Sequence, residues 1–312
     1  MKKERILIIK LGALGDFITA IGWMFRVKEL HPHASLTLMT GSSYVRMARC
    51  MGIFDSYIID NRSSYWNLPD KYRLYNEVKA GDFDWVYDLQ SAPRTRKRYF
   101  SIFRFMCRKP TAWVDVYKRD ERRVIPRGFG LPGKVETIAI EPGTVTMGQL
   151  EFMKANPELL KTLPQPYVLM IPGCSPTHPH KRWPADSYAA LAGRLAEHGI
   201  HTVVIGIKTE AQEVNRVAQA SPMVLNLLGK TSIEDIPDLA RFALTVVGND
   251  TGPSHIASFT GTPLIGLFAA RKKPCSLKGE KIFNIISPGT IDLISVDEVW
   301  SAILPFIGSH LK

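Results

Sequence analysis

The chain has 312 residues, of which 45% are hydrophobic and 22% are charged, a balance typical of a globular protein. No apolar run approaches the ~20 residues that a helical membrane span needs, which excludes a protein anchored by such a span. The formal net charge of +11 indicates an anionic partner, such as nucleic acid, acidic lipid or a phosphorylated substrate.

In the first half of the chain, short apolar strands alternate with helical segments. This alternation is typical of βαβ units and a parallel sheet. Strands are predicted at 6–10, 34–40, 54–60 and 84–90, and helices at 17–31 and 44–52.

The second half repeats the pattern, so each half is predicted to be an α/β domain with its own sheet. We expect the two domains to face each other across a cleft, where open α/β sheets bind ligands beyond the carboxyl ends of their strands. The predicted domains are 1–160 and 161–295, followed by a C-terminal helix at 296–312 that can pack back toward the first domain. Strands are predicted at 167–173, 201–207, 224–229, 244–250 and 262–268, and helices at 185–199, 210–221, 233–243, 253–261 and 296–307.

The loop after the first strand contains Gly12 and Gly15 and is followed directly by Asp16. It lacks the third glycine of a G-x-G-x-x-G dinucleotide fingerprint and the G-K-[ST] of a phosphate-binding loop. The loop is therefore predicted to present the Asp16 carboxylate at the edge of the sheet. The alternative is that Asp16 only caps the following helix, because Asp is a favoured N-cap residue.

The loop after the strand at 244–250 is a candidate anion site. Asp250 is followed by Thr251 and Gly252, whose backbone amides precede a helix with Pro253 in its first turn. The positive end of a helix dipole and free amides favour a bound anion. An ordinary capped helix is the alternative, although it does not explain His255 beside the loop.

The loop after the strand at 167–173 is a second candidate anion site. Ser175, Thr177 and Lys181 offer hydroxyls and an ammonium group that suit a diphosphate. His178 and His180 lie two residues apart, but no third ligand is near in sequence, so we predict no metal site. A solvated basic turn is the alternative.

Four motifs follow one another along the chain: "KLGALGD", "YDLQSAPR", "KRWP" and "GNDTGPSHIA". In this order they resemble glycosyltransferase family 9, the ADP-heptose:lipopolysaccharide heptosyltransferases, and the resemblance extends from Ile6 to about Phe268. It implies the GT-B fold, in which two facing Rossmann-like domains with parallel sheets enclose an interdomain cleft. The acceptor would bind in the N-terminal domain and the nucleotide-sugar in the C-terminal domain.

The resemblance also implies residue roles in an inverting reaction that needs no metal ion and no cofactor. Asp16 matches the catalytic base, and Glu210 matches an acidic position that contacts the nucleoside. Asp250 is expected to pair with Lys181 or to cap amides. The matched donor-diphosphate residues are Lys181, Thr251, Gly252, Ser175, Thr177, Asp250 and His255, and the matched acceptor residues are Gly15, Gln90, Arg94, Arg96 and Arg98.

The segment from Arg94 to Arg127 holds most of the excess positive charge, with twelve Lys and Arg residues against three acidic ones. Its arginines alternate with aromatic residues, a pattern that suits an anionic membrane surface, a phosphorylated acceptor or stacked RNA bases. An ordinary amphipathic helix with one solvated face is the alternative. A second basic segment, Ala269 to Lys278, departs from the family pattern.

The expected partners are an ADP-sugar donor, a lipopolysaccharide core acceptor of the lipid A–Kdo type and the inner leaflet of the membrane. The chain is expected to be a cytoplasmic monomer, bound peripherally to the inner face of the cytoplasmic membrane of a Gram-negative bacterium. Four scattered cysteines without a C-x-x-C pair agree with a reducing compartment.

Three other functions stay open on the sequence. They are a glycosyltransferase with another nucleotide-sugar donor, a nucleotide-sugar epimerase, and a nucleic-acid-binding protein that uses the Arg94–Arg127 segment. We do not expect nucleic-acid binding, because no RNA-recognition motif or helix-turn-helix signature is present.

Overall fold

The structure is a computed structural model that describes residues 3–64, 66–90, 150–270, 277 and 281–311, together with the backbone of two further strands at 112–115 and 123–126. The chain divides into two compact units, Met1–Val145 and Thr146–Lys312. Each unit contains one twisted sheet with helices packed against it.

The first unit has a six-stranded sheet in the order β3-β2-β1-β4-β5-β6. Every pairing is parallel except that of β5 with β6, which is antiparallel at the sheet edge. The strands are β1 (Arg5–Ile9), β2 (Ser35–Thr40), β3 (Ser56–Ile59), β4 (Trp85–Asp88), β5 (Ala112–Asp115) and β6 (Arg123–Pro126), and the helices are α1 (Leu14–Leu30), α2 (Val45–Cys50) and α3 (Leu68–Gly81).

The second unit has a six-stranded sheet in the order β12-β11-β10-β7-β8-β9, with parallel pairings throughout. Both sheets therefore follow the doubly wound order 3-2-1-4-5-6 of nucleotide-binding folds. The strands are β7 (Tyr167–Ile171), β8 (His201–Gly206), β9 (Val224–Leu228), β10 (Thr245–Asn249), β11 (Leu264–Phe268) and β12 (Ile282–Ile286), and the helices are α4 (Pro157–Lys161), α5 (Ala185–Glu197), α6 (Ala211–Ala218), α7 (Ile236–Arg241), α8 (Gly252–Ala257) and α9 (Val296–Ile307).

The predicted α/β class with two parallel sheets is confirmed, and among the described strands β6 departs from it by pairing antiparallel. The central strands are apolar on both faces because helices cover both sides of each sheet, as Ile6–Ile9 in β1 illustrates with full burial. Helices α3 and α4 and strands β5, β6 and β12 were not predicted.

The last helix, α9, packs within the second unit. Val299, Ile303 and Ile307 are fully buried and belong to the same core cluster as the side chains of α5. On its outer side, the Arg194 guanidinium lies 4.3 Å from the centre of the Trp300 ring. In the parts of the chain that the structure describes, none of the helices has the length and apolar character that a membrane crossing would demand.

Gly12 occupies a backbone conformation and a space that only glycine fits. Its φ is +107°, and a Cβ atom there would lie 2.6 Å from the ring of Tyr44. Tyr44 cannot easily give way, because its ring stacks on Phe17 with centroids 5.2 Å apart. Gly52 also has a positive φ, +68°, but it borders open space.

Gly12→Ala is therefore expected to lower the free energy of unfolding more than Gly52→Ala does. A positive φ alone costs about 1–2 kcal/mol for a residue with a Cβ atom, and Gly12→Ala adds the clash with Tyr44. Urea denaturation of the two variants measures the difference. Equal losses would contradict the crowding that we describe at Gly12.

Candidate active site

Asp16 lies in the first turn of α1, directly beyond the carboxyl end of β1, and its side chain is exposed to solvent. The N-cap of this helix is Ala13, which makes no side-chain capping bond. The alternative prediction that Asp16 caps the helix is therefore wrong. Its carboxylate still interacts favourably with the positive end of the helix dipole.

A buried ammonium group lies beside this loop. Lys10 is only 6% exposed, and its Nζ donates a hydrogen bond to the carbonyl of Leu89 at 3.0 Å. Burial lowers the pKa of Lys10 from its usual value, while the carboxylates of Asp16 and Asp88 oppose that shift. Lys10 thus places a cation near Asp16, a role that the sequence analysis did not assign.

Gln90 connects the end of β4 to the glycine loop. Its side-chain Oε1 accepts a hydrogen bond of 3.0 Å from the Leu11 amide, and its own amide donates to Asp88 Oδ1 at 3.0 Å. Gly15 lies in the first turn of α1, one residue before Asp16. The remaining predicted acceptor residues, Arg94, Arg96 and Arg98, lie outside the described residues, as does most of the Arg94–Arg127 segment and of the Ala269–Lys278 segment.

In the second unit, Lys181 and Asp250 form an ion pair across two loops. Lys181 Nζ lies 2.6 Å from Asp250 Oδ2, and His255 Nε2 lies 3.5 Å from Asp250 Oδ1. Burial disfavours the Asp250 carboxylate, but hydrogen bonds and charges from His255 and Lys181 outweigh it and hold its pKa well below the usual value. The expected pairing of Asp250 with Lys181 is confirmed.

The side-chain amide of Asn249 ties together the loops that carry this pair. Its Oδ1 accepts hydrogen bonds of 3.1 Å from the Trp183 amide and from the Tyr188 hydroxyl. Its Nδ2 donates to the carbonyl of Pro172 at 2.7 Å. The Trp183 indole in turn donates to the carbonyl of Ile294 at 2.8 Å, just before α9.

The predicted hydroxyl groups and amides lie on the same loops. Ser175 and Thr177 are exposed, with their hydroxyl oxygens 2.9 Å apart, and Thr177 Oγ1 lies 2.9 Å from His178 Nδ1. Thr251 is the N-cap residue of α8, and Gly252 is its first residue; both are half-buried. These groups remain accessible to a ligand.

Glu210 packs its carboxylate against Gly173 at the end of β7. A Cβ atom at Gly173 would lie 2.1 Å from Glu210 Cδ, so this contact requires glycine. Burial raises the pKa of Glu210, although the hydrogen bond from the Ile207 amide and the charge of Arg182 act in the opposite direction.

Arg182 links the loop after β7 to helix α6. Its guanidinium forms an ion pair with Glu213 on α6 and donates to the carbonyl of Cys174 at 2.8 Å. The carboxyl end of β7 is thus adjoined by three groups: Glu210, the Cys174 loop and the Lys181–Asp250 pair. Within the described ranges, no three His, Cys, Asp or Glu side chains are grouped as metal ligands.

Comparisons with known proteins agree with the motifs. A family model described as glycosyltransferase family 9 (heptosyltransferase) matches residues 137–275. The lipopolysaccharide core heptosyltransferase OpsX of Haemophilus influenzae is 23% identical over 309 residues, which cover 91% of this chain and 84% of that protein. The lipooligosaccharide heptosyltransferase 2 of the same organism is 27% identical over 208 residues, covering 65% of this chain and 52% of that protein.

Among solved structures, the chain is similar to the E. coli heptosyltransferase WaaC with ADP-2-deoxy-2-fluoro heptose. The TM-score is 0.68 at 16% identity, and the match covers 96% of this chain and 99% of that chain. Fold and similarities together define a glycosyltransferase with the GT-B fold. The chain is thus similar to glycosyltransferase family 9, the heptosyltransferase family, over residues 137–275 in the family model and over 91% of its length in OpsX.

The Lys181–Asp250 pair is expected to stabilise the second unit in a pH-dependent way. A double-mutant cycle of Lys181→Met and Asp250→Asn should give a coupling free energy of about 1–3 kcal/mol at pH 7. Because the pKa of Asp250 is lowered on folding, this coupling is present above its usual value of 3.8 and is lost as the pH falls further below that value.

The matched control is the exposed pair Lys161–Glu158, which is also close, at 2.7 Å, but has side chains 71% and 74% exposed. Its coupling should be below about 1 kcal/mol, as for other solvated pairs. Denaturant unfolding measures both cycles. Equal coupling energies for the two pairs would refute the importance of burial at Asp250.

Proposed function

We propose that the chain transfers a heptose residue from ADP-heptose to the inner core of lipopolysaccharide, with inversion at the anomeric carbon and without a metal ion. The observation that carries the proposal is the contrast between the two sheet edges. The first presents an exposed carboxylate after a glycine loop, and the second groups an ammonium, hydroxyls and helix amides. Relatives named as a lipopolysaccharide core heptosyltransferase and a lipooligosaccharide heptosyltransferase support the substrates.

In the proposed reaction, Asp16 is the general base that takes the proton from the acceptor hydroxyl. The exposure of its carboxylate supports this role, because the acceptor must reach it. As the proton leaves, the acceptor oxygen attacks the anomeric carbon in line with the departing ADP, so no covalent sugar–enzyme intermediate forms.

The proposed donor site is the group of loops around Lys181. Lys181 and the amides of Thr251 and Gly252 would stabilise the negative charge that grows on the ADP leaving group. Ser175, Thr177 and His255 would contact the phosphates or the donor sugar. Asp250 lowers the net charge of this site but keeps the Lys181 ammonium positioned, since the two groups are 2.6 Å apart.

The nucleoside is proposed to bind beside Glu210, whose half-buried carboxylate would accept hydrogen bonds from the ribose hydroxyls. Gly173 and Gly206 leave the space into which this carboxylate packs. Recognition of ADP rather than another nucleotide is supported by the ligand named for the WaaC structure.

The acceptor is proposed to be a lipid-linked core sugar at the inner face of the cytoplasmic membrane. The enzyme is proposed to be a monomer that binds peripherally to this membrane face. Gly15 and Gln90 would line the acceptor site, and Arg94, Arg96 and Arg98 would add charge for its anionic groups. The net charge of +11 supports attraction to such a surface.

The test of the proposed roles is transfer from ADP-heptose to the core acceptor, assayed in excess EDTA. Asp16→Asn should lower kcat by about 10²–10⁴-fold without weakening ADP-heptose binding. Lys181→Met should instead weaken ADP-heptose binding by about tenfold or more, because a charged hydrogen bond to the diphosphate is lost.

Glu29→Gln is the control for Asp16→Asn, because Glu29 lies on the same helix in an exposed pair with Arg26. It should leave transfer unchanged. Full transfer activity in the Asp16→Asn variant would refute the role of Asp16 as general base. A loss of ADP-heptose affinity in that variant would instead assign Asp16 to the donor site. Conversion of the sugar in the absence of acceptor would favour an epimerase instead.

Gly173→Ala should weaken nucleotide binding, because its Cβ atom would displace the Glu210 carboxylate. The control is Gly193→Ala, which lies within α5 where a Cβ atom meets nothing within 4 Å. Calorimetry with ADP should show a raised Kd for Gly173→Ala alone, and a Gly173→Ala variant with unchanged Kd would argue against a nucleoside contact at Glu210.

A further inference from the structure

Three large apolar side chains near the start of α3 are exposed to solvent. Trp66 is 84% exposed, Leu68 68% and Tyr72 69%. Scattered surface hydrophobic residues are normal, but a group of this size within seven residues of chain is not.

The exposed Leu68 and Tyr72 form, with the half-buried Tyr75, a second apolar stripe on α3 that is separate from the one that faces the core. Leu74 and Val78 are each 1% exposed and pack into the core of the first unit. Leu68, Tyr72 and Tyr75 follow at spacings of four and seven residues, which places them on one face of the helix. Together with Trp66 before the helix, they form what we call the α3 stripe.

Lysines share this face of the helix. Lys71 lies three residues after Leu68, and Lys79 Nζ lies 5.7 Å from the centre of the Tyr75 ring. The acidic residues of the helix are engaged on the other side, because Arg73 forms ion pairs with both Asp70 and Glu77. The α3 stripe is therefore aromatic and flanked by positive charge.

The α3 stripe begins at the edge of the sheet that carries the proposed base. Helix α3 follows β3, and parallel strands place their carboxyl ends along one edge. That edge also carries the Lys10 loop after β1 and Gln90 after β4. A surface bound by the α3 stripe would thus lie on the acceptor side of the first unit.

We propose that the α3 stripe binds the headgroup layer of an anionic lipid bilayer, with Trp66, Leu68 and Tyr72 inserted and Lys71 and Lys79 against anionic headgroups. This inference rests on the proposed function in that the acceptor is linked to lipid. Trp and Tyr prefer the membrane–water interface, and Lys beside them adds attraction to acidic lipid.

A protein partner fits the same surface less well. The centre of a protein–protein interface is depleted in Lys, whereas Lys71 and Lys79 adjoin the aromatic side chains of the stripe. A bilayer accepts this arrangement, because the lysine stem stays in the apolar region and its ammonium reaches the headgroups.

The test is cosedimentation of the full chain with vesicles of phosphatidylethanolamine and phosphatidylglycerol. The triple variant Trp66→Ser, Leu68→Ser, Tyr72→Ser should lose about tenfold or more of the vesicle affinity, because the inserted apolar area is removed. Its folding is checked by thermal unfolding, which exposed substitutions should leave unchanged.

The matched control is Phe242→Ser, Ile286→Ser, Leu293→Ser, which removes apolar side chains that are 53%, 53% and 60% exposed in the second unit. It should bind vesicles like the unaltered chain. Vesicle binding by the α3 variant equal to that of the control would overturn the proposal. So would a dimer of the unaltered chain that dissociates in the α3 variant without a change in vesicle affinity.

Transfer to an acceptor dispersed in detergent separates this inference from the proposed function. The α3 variant should keep its rate in detergent and lose rate only with the acceptor in vesicles. An unaltered chain that transfers heptose in detergent but does not bind vesicles would refute the α3 stripe alone. A chain that binds vesicles through the stripe but transfers no heptose would refute the proposed function alone.

Discussion

The hydrogen bonds of the buried Asn249 side-chain amide are the interactions on which the proposed donor site of the second unit depends. This amide uses both its oxygen and its nitrogen, joining the end of β10 to the end of β7 and to the loop before α5. A buried polar group that lost one of these partners would carry the cost of desolvation without compensation. The loops that carry Lys181 and Asp250 are therefore held in one arrangement.

Each of the two units compensates a buried charge at the carboxyl end of a strand, but with different partner groups. A charge at the carboxyl end of a buried strand must be compensated, because the sheet and helices exclude water from it. In the first unit, the Lys10 ammonium lies against a backbone carbonyl and near the Asp16 and Asp88 carboxylates. In the second unit, Asp250 is compensated by Lys181 and His255. The Asp16 carboxylate is exposed to solvent, so an acceptor could reach it in its proposed role as a base.

Elements with strong periodicity could be predicted from the sequence, and those without it could not. The fully apolar β1 and the amphipathic α5 follow from pattern alone. Strand β12 was not predicted because its side chains are mostly half-exposed at a sheet edge. Helix α3 was not predicted because its second apolar stripe obscures the helical period. The Lys181–Asp250 pair was expected from charge, but Asn249 and Arg182 act through contacts between distant loops that no local pattern encodes.

The indole of Trp183 links the C-terminal part of the chain to the loop that bears Lys181. Its hydrogen bond to the Ile294 carbonyl joins the loop that bears Lys181 to the segment that leads into α9. None of the candidate site residues named above lies in that segment, yet its Ile294 carbonyl helps to hold the loop in place by accepting this hydrogen bond. Because Val299, Ile303 and Ile307 of α9 also fill the core of the second unit, truncating the chain there would disturb the proposed nucleotide site through that core as well as through the Trp183 loop.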